Sequence, residues 1–240
     1  MLVGQGIQKS YGVKKVLSGV DIAVAPGQIT ALIGPSGSGK STLLRALSLL
    51  DPPDRGSVAL DDANYAFPRR NGFRPPWPTL TIVFQQLFLW PHLSIRQNIS
   101  LPRGDGKAKG SDAVVAELVK LMDIEEFADR YPNQVSLGQR QRAAIARALA
   151  LEPKYLLLDE ITSALDVEHV SRLLGHLKTL RERGTGILLI THLIGFAKRS
   201  ADQIIFMENG AVVEAGGGDI LTSPRSRRLS QFLSLVDTAS

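Results

Sequence analysis

The chain has 240 residues, 44% of them hydrophobic and 21% charged, with 28 Lys and Arg against 23 Asp and Glu, a formal net charge of +5. That supports one large domain with a sizeable core, and the dispersed basic residues read as a solvated surface, not a nucleic-acid stripe. The absence of cysteine excludes disulfides, thiolate catalysis and zinc–thiolate centres, and no run reaches the roughly 18–20 apolar residues that a membrane-spanning helix needs. The opening Met1-Leu2-Val3-Gly4 has no basic segment followed by an apolar block, so no secretory signal is expected.

In chain order, Lys15 to Ala25 reads as short strands, with Val20, Ile22 and Val24 at the two-residue period. Pro26-Gly27 marks a turn, and Ile29 to Ile33 is a short apolar run suited to a buried strand. A glycine-rich loop follows, then a predicted helix over 41–50, stopped by Asp51-Pro52-Pro53. Ser57 to Leu60 and Ile82 to Phe84 read as strands, with the Pro- and Arg-rich stretch 68–78 irregular between them. Helical spacing covers 111–122, with Val114, Val115, Leu118 and Leu121 on one face, then 137–151 and 170–180. Tyr155 to Leu158 and Gly186 to Thr191 read as buried strands, and Asn209-Gly210 between two apolar runs is a hairpin signal. Unbroken apolar strands alternating with helices predict an α/β fold around a mostly parallel sheet, with antiparallel pieces at its margins.

The loop Gly34-Pro35-Ser36-Gly37-Ser38-Gly39-Lys40-Ser41 matches the phosphate-loop pattern G-x-x-x-x-G-K-[ST]. Its glycines let the backbone wrap a phosphate with N–H groups inward, and the next helix presents its positive end to the same anion. Lys40 is expected to reach the β- and γ-phosphates, Ser41 to ligate Mg²⁺, and Thr42 to add a donor. Asp159, ending the strand from Tyr155, is the candidate for a second metal contact, and Glu160 for the general base that takes a proton from attacking water.

Val135-Ser136-Leu137-Gly138-Gln139 and the helix Arg140 to Leu149 resemble the LSGGQ signature and the following helix of ABC ATPases. Val83-Phe84-Gln85 is similar to that family's Q-loop, Ser163-Ala164-Leu165-Asp166 to its D-loop, and Thr191-His192 to its switch histidine. Tyr11 stands where the family places an adenine-stacking aromatic. The resemblance runs from about residue 8 to 236 and implies a P-loop NTPase, RecA-like core with an antiparallel β subdomain and an inserted α-helical subdomain. The core would take about 1–85 and 154–240, and the helical part about 86–153. It further implies ATP and Mg²⁺, with Tyr11 and Val16 on the nucleotide, Gln85 on the metal or water, and His192 on the γ-phosphate. Ser136, Gly138, Gln139 and Asp166 would serve a nucleotide shared across a head-to-tail dimer with a second copy or a paralogous ATPase.

The same resemblance implies peripheral attachment to the cytoplasmic face of the inner membrane through separate transmembrane permease subunits. A solute-binding protein would take part indirectly, and nucleic acid would have no role. Phe84 to His92 would receive the permease, and the chain is most similar to ATPases of bacterial polar amino acid importers. Other ABC importers or exporters, and a non-transport ABC ATPase, are the alternative readings. Two departures carry expectations. Leu137 replaces the first signature glycine, which predicts weaker capping in trans, and Ile161 replaces a proline, which predicts a looser loop around Glu160.

Overall fold

The computed structural model describes residues 1–68, 72–73, 75–104, 111–161 and 167–239. Among the described residues, ten strands form two sheets. They are β1 (Leu2–Tyr11), β2 (Lys14–Val24), β3 (Ile29–Ile33), β4 (Arg55–Leu60), β5 (Ala63–Phe67), β6 (Leu80–Val83), β7 (Tyr155–Asp159), β8 (Gly186–Ile190), β9 (Gln203–Glu208) and β10 (Ala211–Gly216). The helices are α1 (Lys40–Leu47), α2 (Ile95–Ser100), α3 (Ser111–Leu121), α4 (Leu137–Leu149), α5 (Val167–Glu182), α6 (Ile194–Ser200) and α7 (Arg227–Ala239).

A four-stranded sheet has the order β2-β1-β4-β5, and a six-stranded sheet the order β10-β9-β3-β8-β7-β6. Strands β9, β3, β8, β7 and β6 run parallel, and β10 is antiparallel at the edge. Every residue of β3, β7 and β8 is buried, which explains their unbroken apolar sequences: a central parallel strand is covered on both faces. Alternation assigns the faces. Leu156, Leu158, Ile187 and Leu189 join the core under α2, α3, α4 and α5. Tyr155, Leu157, Leu188 and Ile190 face the core shared with α1 and the antiparallel sheet. A third cluster joins Ile33 and Phe206 to Leu229 and Leu233 of α7.

Helix α4 packs closely because Ala143, Ala144, Ala146 and Ala148 are small and buried. It begins with a reciprocal capping box: the Gln139 N–H donates to Ser136 Oγ at 3.2 Å, and the Ser136 N–H donates to Gln139 Oε1 at 2.8 Å. Helix α1 ends sooner than its apolar residues suggest, at Leu47, because Leu49 is left-handed at φ 58. Strand β1 (Leu2–Tyr11) is not read from sequence periodicity. Register shifts and Gly6 at φ 59 break its alternation.

Candidate functional site

The predicted groups gather at the carboxyl ends of the parallel strands, where the ligand crevice of open α/β sheets lies. The glycine-rich loop leaves β3, His192 follows β8, Asp159 ends β7 with Glu160 next, and Gln85 follows β6. The shape of the loop needs its glycines. Gly34 adopts φ 148, and a Cβ there would meet the Met207 carbonyl oxygen at 2.0 Å. Gly39, at φ 100, occupies the cap position before α1. Lys40 is buried, and its Nζ donates to the carbonyls of Gly34 at 2.8 Å and Pro35 at 2.9 Å, and to Ser38 Oγ at 3.3 Å. Burial pushes its pKa below the usual lysine range, against the pull of Glu160 and Asp159.

Ser41 Oγ donates to Asp159 Oδ1 at 3.1 Å. Burial raises the Asp159 pKa, helped by the charge of Glu160 and opposed by the Ser41 bond. A buried carboxylate beside a hydroxyl at a phosphate loop suits Mg²⁺, which takes one or two protein oxygens and fills its shell with phosphate and water. Among the described residues there is no cluster of three His, Cys, Asp or Glu able to hold a metal by themselves, and the two oxygens of Ser41 and Asp159 fit an Mg²⁺ bound together with phosphate.

Glu160 is held from several directions. Its backbone is left-handed at φ 51, its N–H donates to the Ile190 carbonyl at 3.1 Å, and its Oε1 lies 2.5 Å from His192 Nε2. Ile161, the residue in place of the family's proline, is 1% exposed and packs in the main core.

A cleft of about 540 Å³ opens above the loop, lined by Tyr11, Val16, Ser36, Gly37, Gly39, Lys40, Ser41, Thr42 and Glu160. Tyr11 stands half exposed, its hydroxyl donating a hydrogen bond to Asp51 that raises the phenol pKa. The cleft also takes Lys14, Lys15, Asn209 and Gly210, which sequence reasoning did not select. Asn209-Gly210 was legible as a turn, but where that turn lands depends on strand order.

Gln85 is exposed beyond β6 and does not line the cleft. Ser136, Gly138 and Gln139 form the first turn of α4 and likewise stay outside it, while Asp166 and the rest of Ser163 to Asp166 lie outside the described residues. A second, apolar groove of about 610 Å³ runs between Trp77, Phe84 and the Ala144–Arg147–Ala148 face of α4. The stretch 84–92 divides at its edge: Leu87 and Leu89 pack on the core, and Phe88 and Trp90 are exposed. Arg147 pins it by donating to the carbonyls of Phe88 at 2.6 Å and Leu87 at 2.8 Å.

A phosphate loop between β3 and α1, with Asp159 and Glu160 closing β7 two strands away, defines a P-loop nucleoside triphosphatase. Residues 17–163 match the family model described as ABC transporter. The arginine transport ATP-binding protein ArtM of Bacillus subtilis (strain 168) is 38% identical, over 98% of this chain and 100% of that protein. The glutamine transport ATP-binding protein GlnQ of Escherichia coli (strain K12) is also 38% identical, over 98% of this chain and 100% of its own length. The ATP-binding cassette MJ0796, solved as a post-hydrolysis dimer bound to ADP and Pi, superposes with a TM-score of 0.79 at 32% identity, covering 90% of this chain and 98% of that one. The chain belongs to the ABC transporter family, as an ATP-binding, ATP-hydrolysing subunit.

Proposed function

We propose that this ATPase powers amino acid import through separate membrane-spanning subunits, lying on the cytoplasmic face of the inner membrane. The cargo class rests on relatives named for arginine and glutamine transport that align with this chain end to end. No helix among the described residues is long and apolar enough to cross a membrane, in keeping with a channel formed by other chains. The division into a core over about 1–85 and 154–240 and a helical subdomain over about 86–153 is part of the same proposal.

The observation that carries the mechanism is the pairing of Ser41 with Asp159 and of Glu160 with His192 around one cleft. Tyr11 stacks on adenine beside Val16, and the N–H groups of Ser36 to Thr42 wrap the phosphates. Lys40 exchanges its carbonyl partners for the β- and γ-phosphates. Ser41 and Asp159, joined by Gln85, would hold Mg²⁺, which would neutralise charge on the phosphates. Water attacks the γ-phosphorus, its proton passes to Glu160, and the bond to the ADP oxygen breaks. His192 orients Glu160 and contacts the γ-phosphate. A partner's Ser136, Gly138, Gln139 and Asp166 complete the site, so ATP joins two copies head to tail.

Light scattering of Glu160→Gln with and without Mg·ATP tests this reading. Removing the base preserves bound ATP, and the mass is expected to double only with nucleotide. A monomer at saturating ATP that persists after Leu137→Gly is added would sink the shared-site mechanism.

A further inference from the structure

We propose that the β9–β10 hairpin is a strut that sets the phosphate loop, with Gly210, Glu208 and Arg228 as positioning residues for nucleotide binding. The proposal rests on the reading that the loop binds phosphate. The hairpin meets the loop in two places. The Met207 carbonyl occupies the space beside Gly34, where a Cβ would lie 2.0 Å from it. Three residues on, the Gly210 N–H donates to the Ser38 carbonyl at 3.0 Å.

The second contact has a directional consequence. A trans peptide unit points its C=O and N–H oppositely. With the Ser38 carbonyl drawn to Gly210, the N–H of Gly39 in the same unit is turned away from the hairpin. Gly39 lines the cleft, so the hairpin sets the orientation of a phosphate donor that it does not itself supply. Only glycine fits at 210. Its φ is 75, its carbonyl accepts from the Ser18 N–H at 2.9 Å, and a Cβ would come 2.1 Å from the Val16 carbonyl.

The far end of the strut is fixed to α7. Arg228 Nε and Nη2 donate to the two Glu208 oxygens at 2.6 and 2.5 Å, and Glu208 is largely buried at the hairpin shoulder. Glu214, on the returning strand, accepts the N–H groups of Arg225 at 2.9 Å and Ser226 at 2.8 Å. A path therefore runs from the start of α7 by hydrogen bonds to Glu208, along the hairpin backbone to Gly210, and by a hydrogen bond on to Ser38.

The test is ATP affinity by calorimetry, with KM, kcat and melting temperature, for Gly210→Ala and Arg228→Ala. Gly218→Ala, a site with no neighbour within 4 Å of an added Cβ, is the control. Misdirecting one phosphate donor should weaken ATP binding about tenfold in Gly210→Ala, and loosening the anchor about threefold in Arg228→Ala. In both, KM should rise while kcat stays within about twofold, a split that plain destabilisation does not produce. If Gly210→Ala does not fold, Arg228→Ala, whose side chain is part exposed, decides alone. Folded variants that bind ATP within about twofold of the wild type would overturn the strut. Lys40→Ala separates the two ideas: if it binds ATP normally, the phosphate-loop reading itself fails.

Discussion

Asp159 and Glu160 are adjacent carboxylates placed in different surroundings. The first is buried against Ser41, and the second faces the cleft and His192. The raised pKa of Asp159 means that its charged form costs folding free energy, through burial first and repulsion by Glu160 second. A folded-state pKa above the unfolded one penalises stability increasingly as pH climbs from the ordinary aspartate range through the raised value, and the penalty is constant above it. Asp159→Asn keeps an oxygen acceptor for Ser41 and removes the charge. At neutral pH, without nucleotide, it should therefore stabilise the protein by about 1 kcal/mol, or ~2–4 °C in Tm. The gap should close in acid, where the native aspartate is protonated too. Calorimetry from acid to neutral pH checks this, and a lower Tm for the variant at pH 7 would show that attraction to Lys40 and Arg45 outweighs burial.

At the scale of the element, the start of α4 carries two demands. Ser136 closes a capping box within its own helix, and it is also proposed to meet a partner's nucleotide. Ser136→Ala should cost about 1 kcal/mol of stability through the lost cap. Ser136→Asn preserves a good cap, so its Tm should match the wild type while ATP-driven dimerisation of the Glu160→Gln background weakens. Equal dimerisation in Ser136→Asn would confine Ser136 to the capping role. Leu137, half-buried at the first helical position, sits beside that contact, which is why restoring glycine belongs in the dimer test.

At the scale of the whole molecule, the cleft and the apolar groove have no lining residue in common, and α4 carries Ser136 at its start, outside the cleft, while its Ala144–Ala148 face walls the groove. Exposed Trp77, Phe88 and Trp90 at and beside the groove suit a protein partner better than water. The combined change Trp77→Ser and Phe88→Ser should keep ATP affinity, since neither residue lines the cleft, and should abolish co-purification with the membrane subunits. Retained co-purification would move the docking surface elsewhere.

Much of the site was readable along the chain because a phosphate loop is local. Glycines, lysine and serine act within eight consecutive residues, and the buried strands β3, β7 and β8 announce themselves as apolar runs covered on both faces. Helices α2 and α6, of six and seven residues, are too short for a periodic signal. The amphipathic α7 was overlooked although Leu229 and Leu233 sit one turn apart on its buried face. The family resemblance marked Phe84 to His92 as a docking stretch, and only packing sorted inward Leu87 and Leu89 from outward Phe88 and Trp90. The sequence by itself determined the chemistry: which hydroxyl, carboxylates and backbone turn can handle a phosphate. The tertiary structure alone decided which groups meet: Ser41 with Asp159, Glu160 with His192, and Gly210 with Ser38. Those meetings depend on the order β9-β3-β8-β7, a property of sheet assembly that local residue patterns do not encode.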